Sequence, residues 1–85
     1  MTIQQFFSFT PSLQEQYLFM YGELIAEIEE EHFYSSLFLI SDFYVEVFLC
    51  KHSSQILTIM RQEDPEIYLL YLDKLQVNIS SLVNK

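Results

Sequence analysis

Eighty-five residues, 51% apolar and 16% aromatic with one glycine and two prolines, are too hydrophobic for a disordered chain and enough for one small core. A single α+β domain over residues 1–85 is expected. The formal charge of −8 argues against direct binding to nucleic-acid phosphate or to an anionic membrane, both of which need a basic patch.

The charge is unevenly placed. Residues 1–50 hold Glu15, Glu23, Glu27, Glu29, Glu30, Glu31, Asp42 and Glu46 with no Lys or Arg. Further on, Glu63, Asp64, Glu66 and Asp73 are balanced by Lys51, Arg61, Lys74 and Lys85. Cys50 is the only cysteine, so no internal disulfide can form and a reducing, cytoplasmic setting is expected. Met1 to Phe7 lacks the basic start and small-residue cleavage site of a signal peptide. No apolar run approaches the ~20 residues of a membrane helix. Without a secretion signal, the Asn78-Ile79-Ser80 sequon is read as chance.

Helical signals begin at Thr10-Pro11-Ser12. Either Thr10 caps with Pro11 at the first position, or Ser12 and Glu15 form a capping box. Leu13, Tyr17, Met20 or Tyr21, and Leu24 follow the 3.6 period, and Gly22 suits a left-handed C-cap, giving a helix over about 11–21. A single helix from 13 to 31 is the rival. It would enclose Gly22 at about 1 kcal/mol and crowd Glu27, Glu29, Glu30 and Glu31 at its negative end, so a strand is preferred there.

That strand alternates Leu24, Ala26 and Ile28 with Glu23, Glu27 and Glu29, with Ile25 out of phase. Residues 33–40 and 43–50 are rich in aromatic and β-branched side chains and are separated by Ser41-Asp42, a tight turn. After the loop Lys51-His52-Ser53-Ser54, residues 55–61 form a fourth strand. Turns spaced about ten residues apart favour an antiparallel meander over crossover helices. Asp64 as N-cap, Pro65 at the first position and Glu66 on the positive dipole end open a C-terminal helix, with Ile67, Leu70, Tyr71, Lys74 and Leu75 along one face. Val77 to Lys85 is ambiguous, with Ser80 able to cap a final turn. The expected fold is α+β: an N-terminal helix, a three- or four-stranded antiparallel meander, and a C-terminal helix on one sheet face.

Phe43, Val45, Val47 and Leu49, beside Leu37 and Leu39, are assigned to the face that the helices cover. Alternation then sends Tyr34, Phe38, Ile40, Tyr44 and Phe48 to the other face, with Ser36, Glu46 and Cys50 between them. Such a face is too apolar for solvent. The N-terminal Phe6, Phe7 and Phe9, or the C-terminal tail, can roof it; a second subunit or a partner is the preferred cover. An acidic rim of Glu23, Glu27, Glu29 and Glu46 would speed encounter with a basic partner.

Catalytic and metal readings are weaker. His32, Cys50 and His52 are too few for a structural zinc site. Glu27, Glu29 and Glu31 lack the Asp, Asn and Gly of a calcium loop and read as a solvated edge. Cys50 has no orienting set around it, and the Asp42 and Glu46 carboxylates flank a turn where solvation is the ordinary state. A single glycine excludes a phosphate-cradling loop. Arg61 is assigned to a nearby acid such as Glu63 rather than a ligand.

The sequence therefore points to a non-catalytic protein–protein interaction module, without cofactor or metal, acting through its acidic first half and an aromatic sheet face. An adaptor, an immunity or antitoxin-like protein and a nucleic-acid mimic share this profile. A homodimer or a basic protein is the expected partner. The alternative is a small-molecule binder with an aromatic pocket between sheet and helices, anchored by Arg61.

Overall fold

Thr2 begins the first helix. Its hydroxyl accepts from the Gln5 N–H at 3.1 Å while the Gln5 side-chain oxygen accepts from the Thr2 N–H at 2.8 Å, a reciprocal capping box. The result is α1 (Ile3–Ser8) in the computed structural model, which describes residues 1–74 of the chain. The expectations for Leu75, Asn78, Ser80 and the rest of the tail lie outside the described residues.

Thr10 caps α2 (Pro11–Tyr21) by accepting from Leu13 N–H at 3.3 Å, with Pro11 in the first turn. Ser12 lies inside the helix rather than at its cap. Gly22 ends it, but in extended backbone with φ −78° and ψ 146°, not in the left-handed conformation expected from a glycine. The glycine is required by space instead. A Cβ there would stand 2.5 Å from the Leu18 carbonyl oxygen.

Four antiparallel strands follow in the sheet order β1-β2-β3-β4: β1 (Glu23–Glu29), β2 (Phe33–Ile40), β3 (Phe43–Cys50) and β4 (Ile56–Gln62). The two-residue turn between β2 and β3 sets Ser41 at φ 59° and closes on Ile40 opposite Phe43. Asp64 opens the C-terminal helix, α3 (residues 67–74), by accepting from the Glu66 N–H at 2.9 Å. Among the described residues no helix is long and apolar enough to cross a membrane.

The helices lie on opposite faces of the sheet. Phe6 of α1 and Leu18 of α2 pack on Ile40, Val45 and Val47, with Phe38, Phe43 and Leu49 around them. On the reverse face, Ile67 and Tyr71 of α3 pack on Ala26 and Leu37, beside Ile28 and Tyr44. Leu70, placed with them by helical spacing, points to solvent at 62% exposure.

The register corrects the expected division of faces. Residues directly opposite in an antiparallel pair share a face. Tyr34 pairs with Leu49, Ser36 with Val47, Phe38 with Val45 and Ile40 with Phe43. Tyr34, Phe38 and Ile40 therefore lie with the valines under the N-terminal helices, while Leu37 and Leu39 share the α3 face with Tyr44, Glu46 and Phe48. A two-residue loop forces this, because its closing pair, Ile40 and Phe43, must point the same way. A single face of Tyr34, Phe38, Ile40, Tyr44 and Phe48 does not exist. Phe6, fully buried, and its neighbours Phe7 and Phe9 cover Phe38, Ile40 and Phe43, which makes the N-terminal segment the roof.

The edge strand β1 also differs from simple alternation. A register shift between Leu24 and Ala26 leaves Ile25 as the extra residue. The bulge separates Leu24, opposite Phe38, from Ala26 and Ile28, which join the α3 face opposite Leu37 and Ser35.

Candidate interaction surfaces

Strand alternation puts Ser35 of β2, Glu46 of β3 and Gln62 of β4 on the face that α3 covers. Ile67 and Tyr71, one helical turn apart, aim at the sheet. The Tyr71 hydroxyl donates to Glu46 Oε2 at 2.6 Å and lies 2.7 Å from Ser35 Oγ. A phenol has one proton, already committed to the carboxylate, so the Ser35 hydroxyl is the donor in the second bond. Gln62 Nε2 donates to the other carboxylate oxygen.

This is a connected polar cluster under a helix rather than an acidic rim, and it reassigns Glu46. Burial pushes the Tyr71 phenol above its ordinary range, and its hydrogen bond to the Glu46 carboxylate adds to the effect. A cleft of about 350 Å³ runs beside the cluster, with Ser35, Glu46, Gln62, Tyr71, Asp73 and Lys74 among its lining residues. Arg61 is not among the lining residues. It sits opposite Val45, on the other face, and its guanidinium holds Glu63 at 2.7 Å.

The acidic residues of β1 are placed differently. Glu27 and Glu29 stand opposite Ser36 and Tyr34 and are exposed. Glu27 accepts from the Ser36 hydroxyl at 3.1 Å, and Glu29 accepts from Lys51 Nζ at 2.6 Å. The same ammonium stands 5.7 Å from the Tyr34 ring centre. Glu30 pairs with Lys74 at 3.2 Å, tying α3 to the first hairpin. Glu23 and Glu31 remain exposed at the two ends of this edge.

No known family model, curated protein or solved structure matches the chain.

The remaining aromatic candidates are divided among packing roles. Phe38 borders the N-terminal core and Ile40 is buried in it. Tyr44 borders the α3 core, with its ring 6.3 Å from that of Tyr68. Phe48 packs edge-on against Phe33 at 5.6 Å. The apolar surface that does reach solvent lies elsewhere and includes Phe19 and Met20 at the end of α2, Leu24 and Ile25 on β1, Leu69 and Leu70 on α3, and Leu57 and Met60 on β4.

Among the described residues no group of three His, Cys, Asp or Glu side chains is placed to hold a metal ion. The Cys50 thiol is held below its ordinary range by the Ser53 hydroxyl, and next by the backbone amides of His52 and Ser53. Sequence reasoning missed Ser35, Gln62 and Tyr71 as one cluster. Tyr71 was legible only as a core position of the last helix, since nothing local signals a partner 25 residues away.

Proposed function

We propose that this chain is a non-catalytic protein–protein interaction module, cytoplasmic in setting, that meets a basic protein surface with its acidic first half. The carrying observation is the exposed acidic edge of β1. Glu23, Glu27 and Glu29 line one strand, Glu30 and Glu31 extend it, and residues 1–50 supply no Lys or Arg to offset them. Lys51 and Lys74 come from the second half of the chain and reach Glu29 and Glu30. Exposed pairs of this kind contribute little, about 0–1 kcal/mol each, and are readily exchanged for a partner's cations. A field of one sign steers a basic partner and raises its on-rate.

The test is binding of the full chain to a lysine-rich peptide and to the same peptide with its lysines acetylated. Binding that requires free ammonium groups, weakens steeply as salt rises from about 50 to about 500 mM, and falls on Glu23→Gln with Glu27→Gln supports the reading. Equal binding of both peptides, or indifference to the glutamine changes, overturns it.

A second reading, small-molecule binding, draws on the cleft beside Tyr71 and Glu46. Its lining is a carboxylate, hydroxyls and aliphatic groups rather than the Phe-lined, Arg61-anchored pocket expected from sequence, so a small cationic or hydroxylated compound would suit it. A thermal shift produced by one compound from a metabolite panel, and lost in Glu46→Gln, would favour this reading over the first.

A further inference from the structure

Among the described residues β4 pairs only with β3, leaving its outer side as a row of free backbone donors and acceptors. Such an edge is a template for another strand unless charge, proline or a bulge blunts it. The two edges of this sheet are protected unequally. β1 carries three glutamates and a bulge in mid-strand. β4 has its register shift at Leu57, next to its first residue, so Thr58 to Gln62 runs regularly. From Ile56 to Met60 it has no charge, proline or glycine, and Leu57 and Met60 are exposed.

Charge decides what can occupy this edge. Two copies at −8 repel wherever their acidic halves approach. The strand order sets β1 and β4 on opposite margins, three strand spacings or about 14 Å apart, which exceeds the screening length of about 8 Å at physiological salt. β4 is thus the edge two copies can share with their β1 glutamates screened from one another. α3 sits over Ala26, Leu37 and Tyr44, toward the other side of the sheet, and leaves the Thr58 and Met60 side chains open.

We propose that two copies of this chain pair β4 with β4 antiparallel about a two-fold axis normal to the sheet, making one eight-stranded sheet with an acidic β1 at each outer edge. The pairing stands apart from the basic-partner reading: either can fail without the other.

Sedimentation equilibrium of the full chain tests it, with twice the 10.2 kDa chain mass expected. The decisive variant combines Thr58→Lys with Met60→Lys. These positions stand opposite Phe48 and Glu46, on one face. A two-fold axis normal to the sheet sets residues of the same face opposite one another, so lysine meets lysine or its near neighbour in registers centred on these positions. The variant reduces the magnitude of the net charge, from −8 to −6, which by itself favours association, so a shift to monomer reports on the edge. The matched control, Phe19→Lys with Met20→Lys, makes the same charge change on the exposed end of α2 and keeps the dimer. Hydrogen exchange on the unaltered chain adds a readout independent of variant folding: protection, rising with protein concentration, of those amides between Thr58 and Gln62 that point away from β3. A wild-type chain that stays monomeric at about millimolar concentration overturns the proposal. So does a dimer unaffected by the β4 lysines, or a monomer in which the β4 amides that point away from β3 are already protected, since another segment of the same chain would then fill the edge.

Discussion

The Tyr71 hydroxyl and the Glu46 carboxylate meet at 2.6 Å, joining the last described helix to the centre of the sheet across 25 residues of sequence. Together with Ile67 in the core, this contact fixes α3 on its face. Bonds to a charged acceptor contribute about 1.5–3 kcal/mol, and removing only one partner leaves the other desolvated. Tyr71→Phe keeps the ring and deletes the donor. Glu46 loses one partner and Ser35 loses its acceptor. A loss of about 1–3 kcal/mol in urea unfolding is expected, with faster amide exchange in residues 67–74 than in β2 and β3. An unchanged midpoint would mean that the ring alone docks the helix.

The same phenol predicts a change in stability at alkaline pH. Its ionisation is pushed upward in the folded chain, by burial first and by the Glu46 hydrogen bond second. Below the ordinary tyrosine range, about 10, folded and unfolded forms both hold the proton and the stabilisation is complete. Above it the unfolded chain releases a proton that the folded chain keeps. Stability then falls as pH rises, by up to about 1.4 kcal/mol per pH unit from this group. Tyr71→Phe removes that contribution, so its stability profile between about pH 9.5 and 11 should fall less steeply than that of the unaltered chain. Parallel profiles would assign the alkaline loss to other groups.

Strand existence was legible in the sequence, and strand pairing of faces was not. β2 and β3 carry apolar side chains on both sides because helices cover both sides, so alternation does not mark an inside. The marker that does settle the faces is the loop: two residues between Ile40 and Phe43 require those two to point together. Ile25, apolar and out of phase, was the visible trace of the β1 bulge. The first helix, Ile3–Ser8, is too short for a hydrophobic period, though Thr2 and Gln5 stand at capping-box spacing. Of the expected interface residues, Glu27 and Glu29 lie on an exposed edge, whereas Ile40 is buried and Glu46 sits under a helix.

Phe6 carries the roof over the face that was expected to need a partner. It is fully buried, with Phe7 edge-on at 5.0 Å and Phe43 at 5.9 Å. Phe6→Ala should destabilise the chain by about 3–5 kcal/mol, as truncation of a buried aromatic does, a large share of the stability of a domain this small. It should also expose Phe38 and Phe43, read as binding of a hydrophobic dye below the unfolding transition. Phe7→Ala, at a half-buried position, should cost clearly less. Equal effects would show that the segment packs as a loose cap rather than through one anchor.

Gly22 is a position where the usual rule for glycine reverses. Its backbone, at φ −78°, suits any residue, and alanine at a compatible site ordinarily stabilises by about 0.4–1 kcal/mol through the unfolded chain. The space forbids it. An added Cβ would stand 2.5 Å from the Leu18 carbonyl oxygen, which already accepts the Gly22 N–H at 2.8 Å, and 3.2 Å from Leu18 Cδ1. Leu18 cannot give way, because its side chain is buried between the helix and Ile40, Val45 and Val47. Relief must come from opening the last turn of α2 or tilting the entry into β1. Gly22→Ala should therefore lose about 1–3 kcal/mol, lowering Tm by roughly 4–8 °C per kcal/mol at this size. A Tm at or above that of the unaltered chain would mean that the junction of α2 and β1 shifts freely and the close approach is not a constraint.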